Sequence, residues 1–363
     1  YFTVLDSQFF PENVREESKI NPFEWVSAGI QAIVLGTFKL SEDELKVDAK
    51  LYQVVSAKRI YRRKLSENPI QIRRIAHSIS DDVVKALTGE DGIAQSQIAF
   101  ISNRTGHKEL YTCDYDGFAV KQMTSKKSLT FTPDWSPDGL MLTFSCFTRS
   151  HPVLYRYDML DNKLDVLSDS PGINMAASWS PDGRKIAFVM SKDGNSEIYV
   201  MDVRTTSMQR LTHNYSIDTS PCWSPNGRNI AFCSDRSGSP QIYIMDDEGA
   251  NVRRLTFEGG FNDQPVWSPL GDQIAFASRA RGQFDIAVTD ISGENIVYLT
   301  SIGNNEHPYW APDGHHIVFC SDRIGTYQLY EILRDGTQLR RITNSVSDNM
   351  SPAWSPRYNW SFD

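Results

Sequence analysis

The chain has 363 residues, of which 40% are hydrophobic and 23% charged, with a formal net charge of −8 and a pI near 5.5. This length allows two domains with separate cores, and the acidic balance without long basic runs argues against nucleic acid as a partner. No run of 18 apolar residues occurs, so we expect no helix that spans a membrane.

Residues 1–92 show no internal repeat and predict a small α/β domain, which we expect to be truncated at its start. Strands are predicted at 31–41 and 44–56, where β-branched residues alternate with polar ones around an acidic turn. A third strand is predicted at 61–65. These three segments are typical of a small antiparallel sheet.

A helix is predicted to cover this sheet. Between Pro69 and Leu87 the apolar residues recur at helical spacing, and Gly89 follows as a C-cap. A shorter helix is predicted at 23–29. The polar, glycine-containing segment 88–97 is predicted to link this domain to the next.

A repeat of about 44 residues occupies the remainder, 93–363. Tryptophan recurs at intervals of 43 or 44 residues, at Trp135, Trp179, Trp223, Trp267, Trp310 and Trp354. After the first five, a turn sequence such as SPDG follows, in which proline restricts φ and glycine allows positive φ. The interval therefore predicts one structural unit per tryptophan, which stands at the end of a strand.

Each unit predicts four short strands. The tryptophan strand is followed by a run such as IAF (186–188), by a second run such as IY (198–199), and by a motif such as RLT (210–212). Four short antiparallel strands repeated in this way are typical of a β-propeller blade. The six copies predict a mainly β fold, a six-bladed propeller.

The first and last copies are both incomplete. The copy that begins at Ile98 has no tryptophan strand, whereas the copy around Trp354 consists of that strand alone, near 350–356. We predict that the two fragments form one blade, because their pairing closes the ring and removes exposed sheet edges.

Common catalytic signatures are missing from the sequence. No two glycines stand two, four or five residues apart, which excludes the GxGxxG, GxSxG and GxxxxGK loops. None of the seven histidines forms HExxH and the five cysteines show no CxxC spacing, so we expect no catalytic residue, metal or cofactor. A metal site assembled from Asp218, Asp263 and Glu306 is kept as an alternative, because a ring brings distant positions together.

The loops that lead into the tryptophan strands are the candidate binding region, because such loops meet at one end of a propeller channel. Five residues before each tryptophan stand Thr130, Asn174, Asp218, Asn262, Asn305 and Asn349. The residues beside them are small, apolar or acidic, which suits a protein partner: Ile173, Ala176, Thr219, Ser220, Asp263 and Glu306. Local loop chemistry is an equal alternative, since Asn and Asp also stabilise their own turns.

The loops SDRSGSPQ (234–241) and SDRIGTYQ (321–328) are predicted to open at the same end. Their Asp-Arg pairs are predicted to brace turns internally.

Three features together resemble the TolB family over nearly the whole chain. They are the repeat WSPDGRKIAFVMSKDGNSEIYVMD (179–202) followed by RLT, the presence of six such units, and a preceding helix that ends in SDDVVKALTG (80–89). The resemblance implies a TolB/WD40-like propeller in the periplasm, a component of the Tol–Pal system without enzymatic activity. It would support outer-membrane integrity and cell division.

The resemblance also implies partners. It places the lipoprotein Pal at the propeller mouth, on Ile173, Asn174, Ala176, Asp218, Thr219 and Ser220, and we extend the predicted site to Asn262, Asp263, Glu306 and Asn349. It implies contact with TolA through a segment before Tyr1, and we expect the chain to be a monomer. The alternative function is a propeller hydrolase or lyase that uses channel carboxylates, with or without a metal.

Overall fold

The computed structural model describes residue 4, residues 22–280 and residues 282–358. The predicted domain ranges 1–92 and 93–363 also include residues outside this described part. The chain divides into two compact units, one extending to Gln95 and the other spanning Ser96–Tyr358.

The first unit is a three-stranded antiparallel sheet with helices, in which β2 lies between β1 and β3. Its elements are α1 (Pro22–Ser27), β1 (Ala32–Leu40), β2 (Leu45–Gln53), β3 (Lys58–Glu67), a 3₁₀ turn (Pro69–Gln71) and α2 (Ile72–Thr88). The small α/β fold is therefore confirmed. Strand β3 is longer than predicted because it pairs along all of β2.

The ends of the covering helical segment follow its sequence. Asn68 begins the 3₁₀ turn by accepting a hydrogen bond from the backbone N–H of Ile70, at 3.0 Å. Gly89 ends α2 in the left-handed conformation, with φ of 82°, and its N–H donates to the carbonyl of Lys85. The predicted helix and its glycine cap are confirmed, and α2 contacts β2 and β3.

The second unit consists of 24 strands in the described part of the chain. In chain order they are β4 (Gln97–Ser102), β5 (Glu109–Asp114), β6 (Lys121–Gln122), β7 (Thr130–Trp135), β8 (Met141–Cys146), β9 (Val153–Asp158), β10 (Lys163–Ser168), β11 (Asn174–Trp179), β12 (Lys185–Met190), β13 (Glu197–Asp202), β14 (Met208–Arg210), β15 (Asp218–Trp223), β16 (Asn229–Ser234), β17 (Gln241–Asp246), β18 (Arg253–Arg254), β19 (Asn262–Trp267), β20 (Gln273–Ser278), β21 (Asp285–Asp290), β22 (Ile296–Tyr298), β23 (Asn305–Trp310), β24 (His316–Ser321), β25 (Gln328–Leu333), β26 (Arg340–Arg341) and β27 (Asn349–Trp354).

These strands form six antiparallel sheets of four strands, the blades of a propeller. The inner strand of each blade is the one that ends in tryptophan, and each inner strand contacts the next around the ring, from β7 through β11, β15, β19, β23 and β27 back to β7. The six-bladed fold predicted from the repeat is confirmed.

Ring closure joins the two ends of the unit. Strand β27 pairs with β4, so that Trp354 lies opposite Ile98 and Asn349 opposite Ser102. The indole N–H of Trp354 donates to the hydroxyl of Ser96 at 2.7 Å. The incomplete first and last copies therefore form one blade, as predicted.

The core of the propeller repeats from blade to blade. The second strand of every blade contributes a fully buried phenylalanine: Phe100, Phe144, Phe188, Phe232, Phe276 and Phe319. In five blades this ring lies 5.7–6.3 Å from a tyrosine of the third strand. Each buried tryptophan adds about 4–6 kcal/mol of hydrophobic stabilisation as an upper estimate.

Five of the six outer strands end earlier than predicted, whereas β10 reaches Ser168. The RLT-type motifs were predicted as fourth strands, but β14 ends at Arg210 and β18 at Arg254, so the threonine lies beyond the strand. The reason is that the threonine side chain takes the place of a backbone acceptor in the next bond of the ladder. The hydroxyl of Thr212 accepts from the backbone N–H of Ile198 at 2.9 Å. Short outer strands also leave little edge for another chain to pair with.

No helix in the described residues has the length and apolar character that crossing a bilayer requires; α2, the longest of them, has 17 residues.

Candidate functional site

The mouth of the propeller is the end at which the six inner strands begin. Two sets of loops surround it, those leading into the inner strands and those joining the second strand of a blade to the third. Antiparallel order places both sets at this end and the SPDG-type turns at the other.

Each inner strand carries a bulge at its third residue. The ladder shifts register there, and the residue has a left-handed φ of 42–57° in all six strands: Thr132, Ala176, Ser220, Gln264, His307 and Ser351. A proline follows in five of the six, which is tolerated because the bulge leaves that position without a ladder bond. The bulges separate the first two paired residues of each strand, at the mouth, from the last two.

The first residue of each inner strand lies inside the protein. Asn174, Asp218, Asn262 and Asn349 have no exposed surface, so they cannot contact a partner directly. The predicted assignment of these four residues to a partner-binding surface stays a prediction, and their burial argues against a direct contact. The alternative of loop chemistry accounts for them.

Hydrogen bonds show what these buried residues do. The amide of Asn174 donates to the carbonyls of Ser170 and Gly172 in the loop before it, at 2.7 and 3.3 Å. Its carbonyl accepts from the hydroxyl of Ser168, at 2.7 Å. The side chain thus holds the preceding loop in one conformation, which is why Asn recurs at this position.

Arginines from the second set of loops hold three of these residues. Arg236 donates to both carboxylate oxygens of Asp218, at 3.1 and 2.9 Å. Arg104 and Arg323 donate to the amide oxygens of Asn349 and Asn305 at 3.0 and 2.8 Å. These arginines also lie over aromatic rings of their own blades.

The Asp-Arg loops were predicted to brace their own turns, but their side chains brace the neighbouring loops. The carboxylate of Asp235 accepts from the N–H of Ile217 at 2.8 Å, and that of Asp322 accepts from the N–H of Asn304 at 2.7 Å. Both sets of loops are therefore tied to each other, and the mouth is a braced surface.

The other predicted site residues are accessible at the mouth. Ile173, Ala176, Thr219, Ser220, Asp263 and Glu306 are all half-buried. Ala176, Thr219, Ser220 and Asp263 line a central cavity of about 470 Å³. The structure brings these residues together around one opening, although they come from four different strands and one loop.

A polar network crosses from blade to blade in this cavity. The hydroxyl of Ser220 donates to Asp263 at 2.9 Å, and the N–H of His307 donates to the side-chain oxygen of Gln264 at 2.7 Å. Burial lowers the pKa of His307, although Asp263 and Glu306 act in the opposite direction. The imidazole is therefore neutral near pH 7.

Asp134 and Tyr309 meet deeper in the cavity. The tyrosine hydroxyl donates to one carboxylate oxygen of Asp134 at 2.7 Å, and the N–H of Trp179 donates to the other at 2.8 Å. Burial raises the pKa of Asp134 to about 7, and these two hydrogen bonds hold it from rising further. The aspartate was not singled out from the sequence, since nothing local marks it.

The thiol nearest this pair is not activated. Burial raises the pKa of Cys222 to about 12, so the side chain stays protonated and a poor nucleophile. All five cysteines of the chain are free.

The alternative metal trio is not supported by the contacts. Asp218 is buried, and its oxygens accept hydrogen bonds from Arg236 and Asn214. A carboxylate already neutralised by a guanidinium is a poor ligand to share with Asp263 and Glu306.

Exposed apolar residues in the loops were missed by the sequence analysis. Loops leading into four inner strands expose large apolar side chains: Tyr215, which is fully exposed, Phe257 at 69%, Ile302 at 65% and Val346 at 96%. The signal was present in the sequence, as one or two apolar residues in each of these loops, between the threonine after the fourth strand and the Asn or Asp that begins the next inner strand. Such residues cost solubility unless something covers them.

Two family models match this chain. The model described as the TolB beta propeller domain matches residues 84–359, and the model described as the TolB amino-terminal domain matches residues 1–60. Together they extend over both compact units.

A solved structure and curated proteins are similar to the chain. The crystal structure of TolB from Acinetobacter baumannii has 31% sequence identity and a TM-score of 0.87, covering 96% of this chain and 89% of that one. A protein TolB homolog of Chlorobium chlorochromatii is 37% identical over 158 residues, 42% of this chain and 35% of the relative. The Tol-Pal system protein TolB of Geobacter metallireducens is 41% identical over 115 residues, 32% and 27% respectively. The chain thus spans about a third of the length of these curated relatives.

Proposed function

The chain belongs to the TolB family of the Tol–Pal system, and from this membership we propose that it is a periplasmic scaffold without enzymatic activity that binds the lipoprotein Pal at the propeller mouth. Through that contact it would support outer-membrane integrity and cell division. Contact with TolA remains a prediction.

The observation that carries the proposal is the combination of braced loops with exposed apolar side chains at the mouth. Tyr215, Phe257, Ile302 and Val346 project from loops whose conformations are held by buried Asn and Asp residues. A rigid surface with apolar anchors loses little conformational entropy on binding, which favours a protein partner.

The contacts at the mouth agree better with binding than with catalysis. The neutral His307 and the protonated Cys222 are both engaged in the packing of the ring, and Asp134 is held by a tyrosine and a backbone N–H. Polar groups that are already hydrogen-bonded to one another position the ring and need no substrate to satisfy them.

The proposal is tested by measuring the affinity of purified Pal for variants of the mouth. Tyr215→Glu and Val346→Glu place a charge on two fully exposed loop residues that make no packing contact inside the fold. Each is expected to weaken Pal binding by about tenfold or more, as for an interface anchor, with the unfolding midpoint unchanged.

Leu160→Glu is the matched control. Leu160 is 70% exposed and lies in the turn between β9 and β10, at the end of the propeller opposite the mouth. Affinities that fall equally for Leu160→Glu and the mouth variants would contradict a site at the mouth, and a wild-type chain that does not bind Pal would refute the proposed partner.

A further inference from the structure

The second residues of the six inner strands divide the mouth into two halves. On three consecutive strands, β27, β7 and β11, these residues are apolar: Met350, Phe131 and Met175. On the next three, β15, β19 and β23, they are polar or acidic: Thr219, Asp263 and Glu306. All six side chains are half-buried at equivalent positions of the ring.

The third residues do not follow this division, because Thr132 and Ser351 place hydroxyl groups on the apolar side. A nearby loop extends the apolar side at the second positions. Phe147, from the loop after β8, packs edge-on against Phe131 with ring centroids 5.7 Å apart. At the second positions of its inner strands, the cavity entrance is therefore apolar along one arc and rich in acceptors along the other.

The two carboxylates of the acidic half accept hydrogen bonds from neutral groups. Asp263 accepts from the hydroxyl of Ser220 and from the N–H of Gln264, and Glu306 accepts from the hydroxyl of Tyr327. Among the described residues neither takes part in a salt bridge. Half-buried carboxylates that form no salt bridge favour a partner that brings positive charge.

We propose that the mouth takes an amphipathic segment of the partner, with apolar side chains against Met350, Phe131 and Met175 and Lys or Arg against Asp263 and Glu306. This inference rests on the proposed binding of Pal. The division also determines the rotational position of the partner. Six similar blades would otherwise offer six similar orientations, but a turn by three blades places cations against methionine and apolar groups against carboxylates.

The first experiment separates the two halves by their response to salt. Asp263→Asn with Glu306→Gln removes both charges at nearly constant volume, and Met175→Gln with Met350→Gln removes apolar character from the other half. The affinity of purified Pal is measured by calorimetry at about 0.05 and 0.5 M NaCl, between which charge interactions become strongly screened. Circular dichroism and thermal unfolding establish that each variant is folded.

Distinct outcomes are expected for the two double variants. The wild-type affinity should fall by about tenfold or more between the two salt concentrations. The Asn/Gln variant, Asp263→Asn with Glu306→Gln, should bind more weakly at low salt and lose that salt dependence. The variant with Met175→Gln and Met350→Gln should bind more weakly and keep the salt dependence. Glu258→Gln is the matched control, because Glu258 is exposed beside the mouth but outside the six positions, and it should change affinity less than about threefold.

The second experiment tests the rotational position directly. Tyr215 and Val346 belong to loops that enter β15 and β27, three blades apart on the ring. Each is replaced in turn by the photo-crosslinking residue benzoylphenylalanine, and the crosslinked Pal peptides are identified by mass spectrometry. The two positions are expected to mark two different segments of Pal.

The outcomes also separate this inference from the proposed function. Salt dependence that survives in the Asn/Gln variant, or identical Pal segments at both crosslinking positions, would overturn the amphipathic division while leaving Pal binding intact. A wild-type chain that does not bind Pal at either salt concentration would overturn both.

Discussion

At the residue scale, burial and hydrogen bonding act on the carboxyl group of Asp134 in opposite directions. Burial raises its pKa from 3.8 to about 7, although Tyr309 and the N–H of Trp179 stabilise the ionised form. The folded chain therefore holds a proton on Asp134 at pH values where the unfolded chain has lost it. Stability must fall as pH rises through this window.

The variant Asp134→Asn tests this pH dependence. Between about pH 4 and pH 7 the free energy of unfolding of the wild type should lose on the order of 2–4 kcal/mol relative to the variant, because only the wild type must finally ionise a buried group. Above pH 7 the difference should stay constant. Denaturant unfolding at a series of pH values measures both curves.

Asp138→Asn is the control for that series. Asp138 is an exposed residue of the turn after Trp135, and Asn226 occupies the equivalent place in another blade, so the substitution is compatible with the turn. Parallel pH curves for Asp134→Asn and the wild type would show that the carboxyl group titrates normally.

At the element scale, the loops of the mouth depend on pairs of residues from different loops. Asp218 has no exposed surface, and Arg236, which binds it, keeps only a quarter of its side chain exposed. The repeats supply a comparison, since Arg323 makes the same contact with Asn305. A neutral amide can therefore replace the carboxylate in this arrangement.

We expect Asp218→Asn to lower the free energy of unfolding by less than about 1 kcal/mol, and Asp218→Ala to lower it by about 2–4 kcal/mol. The alanine variant leaves Arg236 and the amide of Asn214 without their acceptor, and the partial exposure of Arg236 limits the loss. Denaturant unfolding gives both values. Amide hydrogen exchange in the loop 213–217 should accelerate only in the alanine variant.

Equal losses in the free energy of unfolding for the two variants would mean that the charge of Asp218 matters. The amide of Asn305 would then not be a valid model for an amide at position 218. Equal exchange rates would mean that the loop is held by other contacts, such as the bond from Ile217 to Asp235.

At the scale of the whole molecule, the propeller depends on the pairing of its two ends. Strand β27 completes the blade of β4, and the contacts of Ser355 with Gln97 extend the pairing by two bonds of 2.8 and 2.9 Å. Removal of β27 would uncover the edge of β4 and the buried surface under Trp354.

A chain that ends at Ser347 is expected to unfold at a midpoint lower by roughly 10 °C or more and to aggregate, because an open ring exposes a sheet edge and apolar surface. A peptide of residues 348–358, added separately, should raise the midpoint again by restoring the missing strand. Thermal unfolding followed by circular dichroism measures both effects.

A chain that ends at Tyr358 is the control and should unfold like the full chain. If the chain that ends at Ser347 were as stable as this control, the closure strand would not be required for the fold.

The order and number of the elements could be predicted from local patterns. Tryptophan intervals of 43 or 44 residues predicted six units, and the incomplete copies at Ile98 and Trp354 predicted the closure. Gly89 predicted the end of α2. These features depend on turn chemistry, strand propensity and periodicity, which adjacent residues determine among themselves.

The candidate site could be predicted only in part. The sequence located it in the loops before the tryptophan strands, but it gave equal weight to Asn174, which is buried, and to Asp263, which lines the cavity. Burial depends on which side chains of neighbouring blades surround a residue, and no local pattern records that. Exposure of Tyr215 and Val346 was likewise decided by the loops around them.

The amino-acid sequence by itself determined the repeat, the blade count and the way in which the ends join, since each blade follows from interactions within about 44 residues. Only the tertiary structure decided that Tyr309 meets Asp134, 175 residues away, and that the apolar and acidic arcs of the mouth face each other. The physical reason is ring closure, which brings inner strands from distant repeats around one cavity and thereby sets burial, charge environment and pKa together.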